Sequence, residues 1–168
     1  MRTRSPIVWI VGLALLVGAC SGGAATATST SADGGGAGAN GLPGSACGLL
    51  SAAEVQQNVG SPVQAGVEQD TATEVGCNWN ESSATGPSAG ITVAVYDDAV
   101  WQAGAHAGNS TAVSGIGDAA FKGWPTPGTL NIKFKGYMIT VGVTDFSKPS
   151  SVADAESLAL ASLVLPRL

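Results

Sequence analysis

Charge is what this sequence has least of. Charged residues make up 11% of its 168 positions, against about a quarter in an average soluble domain. Seven basic residues face twelve acidic ones, for a formal net charge of −5. Lys and Arg nowhere cluster, so the electrostatic footprint of nucleic-acid binding is missing. For the same reason, charge cannot draw the chain to anionic lipid. A single histidine and three cysteines without a Cys-x-x-Cys pair give little material for a metal site. No apolar run approaches the roughly 20 residues of a membrane-spanning helix. The longest, Ile7 to Val17, has eleven.

That short run is informative through its flanks. Arg2 and Arg4 precede it, and Gly18 and Ala19 lead directly into Cys20. A basic start, an apolar stretch and a small-residue cut site describe a secretory signal peptide over residues 1–19. Val17-Gly18-Ala19-Cys20 also resembles a bacterial lipobox, whose cysteine is acylated and becomes the new N-terminus. The expectation is a lipid-anchored protein on the extracytoplasmic face of the cell membrane, attached through Cys20. Removing the leader also removes Arg2 and Arg4, which takes the formal charge from −5 to −7.

Acylation of Cys20 would leave Cys47 and Cys77. Outside the cytoplasm an even pair reads as a disulfide, the alternative being a metal site that one histidine supports poorly. Closing that loop should contribute roughly 3–4 kcal/mol on the chain-entropy account. Residues 20–45 comprise the acylated terminus and a Ser/Gly/Ala/Thr segment with one acid, Asp33. Such a composition cannot bury enough apolar surface to offset its ordering entropy, so it reads as a flexible tether. The folded domain is expected over residues 46–168.

Within that domain, Ser51-Ala52-Ala53-Glu54 is a capping box, and Leu50 and Val55 stand at the positions of a hydrophobic staple. Gly60 and Pro62 close that helix. Period-two alternation follows at Val75–Trp79, Ile91–Tyr96, Leu130–Lys135 and Ile139–Thr144, with a further short strand from Ala119 to Trp124. A weak helix is expected over Asp98–Ala107. A closing one runs over Ser151–Leu165, capped by Ser151 and stopped by Pro166. Ile91-Thr92-Val93-Ala94-Val95-Tyr96-Asp97 recurs as Ile139-Thr140-Val141-Gly142-Val143-Thr144-Asp145, identical at five of seven positions. Either an αβββ unit is duplicated, or two amphipathic strands have converged on Ile-Thr-Val. The expected fold is α+β: one antiparallel sheet of about five or six strands with two or three helices packed on one face.

A search for catalytic machinery finds little. Gly86-Pro87-Ser88-Ala89-Gly90 matches the Gly-x-Ser-x-Gly pattern, with Asp97, Asp98 and His106 after it. The nucleophile elbow, however, needs a strand before the serine and a helix after it, and here a strand follows. Asp97-Asp98 is explained by helix capping and the helix dipole. Gly115-Ile116-Gly117-Asp118 reads as a turn into a strand rather than a phosphate loop. Trp79 shares a strand face with Cys77 and should pack on the disulfide, while Trp124, before Pro125, reads as a core edge in preference to a pocket lining. No catalytic residue, cofactor or metal ligand is assigned.

Cys47-Gly48-Leu49-Leu50-Ser51, Cys77-x-Trp79 and Gly115-Ile116-Gly117-Asp118-Ala119-Ala120 together resemble an uncharacterised family of actinobacterial, especially mycobacterial, lipoproteins. The resemblance implies a secreted, lipid-anchored domain with a Cys47–Cys77 bridge and carries no activity. The sequence therefore points to a binding module rather than an enzyme. Its expected interaction surface is the wet sheet face, where Asn78, Thr92, Tyr96, Thr140 and Thr144 gather. The partner on that surface would be an envelope protein or glycan. The alternative is a carrier that holds an apolar, lipid-like envelope molecule between the sheet and its covering helices.

Overall fold

A computed structural model describes residues 41–82, 89–104 and 110–168. Helix α1 (Ala52–Val59) begins as its capping box dictates. Ser51 accepts the Glu54 amide at 3.3 Å and returns its own N–H to the Glu54 carboxylate at 2.9 Å. Gly60 ends the helix in a left-handed conformation (φ 73°), and Leu50 and Val55 are buried on either side of the cap. The strands β1 (Val67–Glu68), β2 (Glu74–Asn80) and β3 (Ala89–Asp97) follow. Helix α2 (Asp98–Gly104) then starts on an Asp97 carboxylate that accepts the Ala99 amide at 2.8 Å. Four more strands come next: β4 (Thr111–Val113), β5 (Ala119–Lys122), β6 (Thr129–Phe134) and β7 (Tyr137–Asp145). Helix α3 (Ser150–Val164) closes the domain, running into a 3-10 turn at Leu165–Arg167 that carries Pro166.

Among the described residues, the seven strands form one antiparallel sheet in the order β1-β2-β3-β7-β6-β5-β4. That is more than the five or six expected. The two extra strands, β1 and β4, have two and three residues, too short to show an alternation pattern. The two Ile-Thr-Val segments are the central pair. Ile91 lies opposite Val143, Val93 opposite Val141, and Val95 opposite Ile139. The order β1-β2-β3 on one side is thus mirrored by β5-β6-β7 on the other, with β4 added at one edge.

One sheet face carries the main core. Cys77, Trp79, Ile91, Val93, Val95, Ile132, Ile139, Val141 and Val143 are all but completely buried beneath Val55 and Val59 of α1 and Leu160, Ala161 and Val164 of α3. Each such aliphatic side chain contributes roughly 1.5–3 kcal/mol of burial. Helix α2 does not join this layer. It packs its Trp101 against Tyr96, Met138 and Phe121, whose positions alternate with the core residues and so face the other way. Helices therefore cover both faces, contrary to the one-sided packing expected. The apolar side chains Tyr96, Met138 and Phe121 on the outward register attract α2 there.

Other expectations change in detail. Residues 41–45 are part of the ordered domain rather than of a free tether: Leu42 is buried, and Tyr137 donates its hydroxyl to the Gly41 carbonyl at 2.6 Å. The rest of the expected linker, residues 20–40, lies outside the described residues. Ser151 does not cap α3. Pro149 holds the cap position, and the Asp154 carboxylate instead accepts the Gly128 amide at 2.9 Å and pairs with Lys122.

The turn from β7 into α3 is locked by charge. Lys148 donates to Glu156 at 2.9 Å and to the Val59 carbonyl at 2.8 Å, and it lies 3.5 Å from Asp145. Burial raises the Asp145 carboxyl, but hydrogen bonds from Ser147 and the Lys148 charge outweigh it and leave it below its ordinary value. Burial likewise opposes the Lys148 charge, and Glu156 and Asp145 more than restore it. This carboxylate pair is committed to Lys148 and ties α1, β7 and α3 together.

Candidate functional site

The five residues expected on the interaction surface do share one sheet face, opposite the main core, because all sit on the outward register of β2, β3 and β7. None is freely wet: Asn78, Thr92, Tyr96, Thr140 and Thr144 are all half-buried. Thr92 donates its hydroxyl to the Asn78 side-chain oxygen. Thr140 donates to Asn131 at 2.8 Å, and Asn131 in turn donates to the Trp124 carbonyl at 2.8 Å. Asn131 and Thr129, which the sequence reading passed over, are buried in the same face. Tyr96 lies beside α2, and its phenol is pushed up to about 12 by burial first and the Glu74 carboxylate second. Thr144 sits across from Gly90. The polar groups at the centre of this face are largely spent on one another.

Cys47 and Cys77 are joined by a disulfide with a Cα–Cα distance of 5.0 Å. Trp79 is buried beside the bridge, as their shared strand face requires. A Cβ built on Gly66 would come within 2.6 Å of Cys77 Sγ and 2.7 Å of Trp79 Nε1. Cys20, the lipidation site expected from sequence, lies outside the described residues, as do Ser88 and His106. Among the described residues, no group of three or more His, Cys, Asp or Glu side chains is placed to hold a metal ion. No described helix is long and apolar enough to cross a membrane.

An unspent site lies at the other end of the main core. A packed helix is about 10 Å across and strands are about 4.8 Å apart, so one helix covers roughly two strands. Two helices cannot roof seven strands. Helix α3 packs on β7 and β6, with α1 at its side, and the inner face of β5 and β4 is only partly covered: Ala120 is buried in the core, but Val113 stays partly exposed. The result is a groove of about 450 Å³. Val113 and Ala112 of β4 form one wall, and Leu130 of β6 lies in the floor. Ser151, Asp154, Ala155 and Leu158 of α3, spaced three, four and seven apart, form the other wall. Leu158 is 39% exposed, although it is a large apolar side chain on the groove.

The charged groups on this groove are Lys122 and Asp154, which meet at 2.9 Å. Gly128 places that carboxylate. Its backbone takes a left-handed φ of 82°, and a Cβ there would lie 2.1 Å from the Val143 carbonyl and 2.9 Å from Ala153. Only glycine lets the β5–β6 turn pass this close to α3, and the turn then donates its N–H to Asp154. The sequence reading offered a space between sheet and covering helices only as its alternative and named none of the groove's residues, since no motif marks them. The visible signal was the open stripe Ser151, Asp154, Ala155 and Leu158, on a helix whose polar and apolar faces are poorly separated.

Residues 15–165, nearly the whole chain, match a family described as a protein of unknown function, DUF3558. The chain belongs to the DUF3558 family. No curated protein and no solved structure matches it. In this member of the family, the described residues form a disulfide-bridged α+β domain with a groove between α3 and β4.

Proposed function

We propose that this DUF3558 protein is a non-catalytic binding module, held at the outer face of the cell membrane by acylated Cys20, with the α3–β4 groove as its ligand seat. The groove carries the reading: about 450 Å³ lies within the size range of small-ligand sites, and its walls are mostly apolar. Leu158 and Val113 remain partly exposed there, and filling the groove would remove that surface from water. The polar face is less favoured as the contact surface, since Asn78, Thr92, Thr140 and Asn131 already satisfy one another. The actinobacterial lipoprotein character rests on the leader, Cys20 and the Cys47/Cys77 framework.

Nile red, an uncharged apolar fluorophore, tests the seat. The full-length protein should enhance its fluorescence saturably, and Leu158→Asp should abolish the enhancement while leaving the melting curve in place. Equal enhancement by wild type and Leu158→Asp, or none by either, would remove the groove as the ligand seat.

A further inference from the structure

Resting on the groove as ligand seat, we infer that its ligand is an uncharged amphiphile with a hydroxyl, ester or amide head, and that Asp154 selects it by holding Lys122. The position of Lys122 is uncommon for a lysine. It follows Ala120 by two residues on β5, so both belong to the register that faces the main core, where Ala120 is buried. Leu130 and Ile132 of the same face stand opposite them on β6. A charge on this register needs a partner. Helix α3 supplies one, with Asp154 at 2.9 Å. The two members are not equally free. The Lys122 side chain is 40% exposed and that of Asp154 only 19%. Asp154 is also anchored by the Gly128 N–H, so it is the fixed member and Lys122 comes to it.

The pair is neutral as a whole, yet it still offers hydrogen bonds. One Asp154 oxygen accepts from Gly128 and the other from Lys122, which leaves each a further lone pair. The Lys122 ammonium has N–H groups beyond the one aimed at Asp154. A hydroxyl, ester or amide head can therefore be met beside the pair without breaking it. Its tail would lie on Val113, Leu130 and Leu158. An anionic head has no such place. It must lie against the Asp154 carboxylate or draw Lys122 away, which strands a largely buried charge. A cationic head meets Lys122 in the same way. Ser114 and Ser151, which also line the groove, add hydroxyls and no charge.

Displacement of Nile red from the full-length protein tests the selection. The probes are 1-decanol, decanoate and decyltrimethylammonium, of one tail length, at pH 8 and below their aggregation limits. Wild type should take decanol in preference to both ions. Their different solubilities in water favour the same order, so the decisive readout is how the preference moves in two variants. Asp154→Asn keeps an acceptor for the Gly128 N–H and frees Lys122. It should shift the decanoate-to-decanol affinity ratio roughly tenfold towards decanoate. Lys122→Gln should shift the decyltrimethylammonium-to-decanol ratio towards the cation by a similar factor. An unchanged ratio in a variant that melts as wild type does overturns the selection, and so does wild type that binds decanoate as tightly as decanol. Saturable Nile red binding in those cases keeps the groove as the ligand seat. No Nile red enhancement at all removes the seat, and this inference with it.

Discussion

Arg167 forks onto Glu54 across 113 residues of sequence, with one guanidinium nitrogen on each carboxylate oxygen and a further bond to the Leu49 carbonyl. The same carboxylate closes the capping box of α1, so one side chain serves the start of the first helix and the 3-10 turn after the last. The hydrogen bond from Arg167 comes first, then those from Ser51, and together they lower the Glu54 carboxyl to about 2.

The pair makes stability depend on acid. A carboxyl depressed from 4.5 in the unfolded chain to about 2 in the fold stabilises the protein fully above pH 4.5. That contribution is lost as pH falls from there towards 2. Both partners are about a third exposed, so solvent screening limits the effect to about 1 kcal/mol. Urea denaturation at pH 7 and pH 3 should show wild type losing more stability than Arg167→Ala. Equal losses would mean that the fork does not set the Glu54 ionisation.

Gly128→Ala is expected to be among the most damaging single-methyl changes in the domain. It forces a left-handed residue and drives a Cβ into the Val143 carbonyl and the Ala153 methyl. A cost of at least about 2 kcal/mol should appear in the denaturation midpoint. Gly136→Ala also carries a left-handed φ (81°) but meets no atom within 4 Å, so it should cost clearly less. If the two variants are equally stable, the close approach of the β5–β6 turn to α3 is not what Gly128 provides.

Tyr96 offers a probe of the face under α2. A phenol held at about 12 should ionise well above the ordinary 10 in an ultraviolet titration. Because its folded value is raised, it stabilises the fold fully below pH 10, and the benefit is lost between 10 and about 12. Glu74→Gln should bring the midpoint down by removing the neighbouring charge. Burial, the larger cause, should still keep it above 10. A midpoint of 10 in the wild type would show that water reaches this face.

Much of the fold could be read along the chain because its devices are local. The capping box at Ser51 and Glu54, the alternation through Val75–Trp79 and the repeated Ile-Thr-Val segments each place an element without knowledge of its neighbours. The site was not legible, since it is a remainder. It exists because two helices cannot span seven strands and because α2 went to Trp101's partners on the other face. The polar face misled for a related reason. Alternation shows that Thr92 and Thr140 point away from the core, but not that Asn78 and Asn131 are waiting for their hydroxyls.

The pairing of Val93 with Val141 also bears on how the chain reaches this state. The hairpins β2–β3 and β6–β7 each join strands that are neighbours in sequence. The sheet's centre instead joins strands 48 residues apart; until it closes, α3 can already cover part of the β6–β7 hairpin, but neither hairpin has the other to complete the core. Loop-closure entropy must therefore be met before most of the core is rewarded, the condition under which folding slows to milliseconds or seconds. During that interval two amphipathic hairpins coexist with much of their inner faces uncovered. Association between chains then competes with the intramolecular docking of β3 on β7, and protein concentration during refolding decides between them.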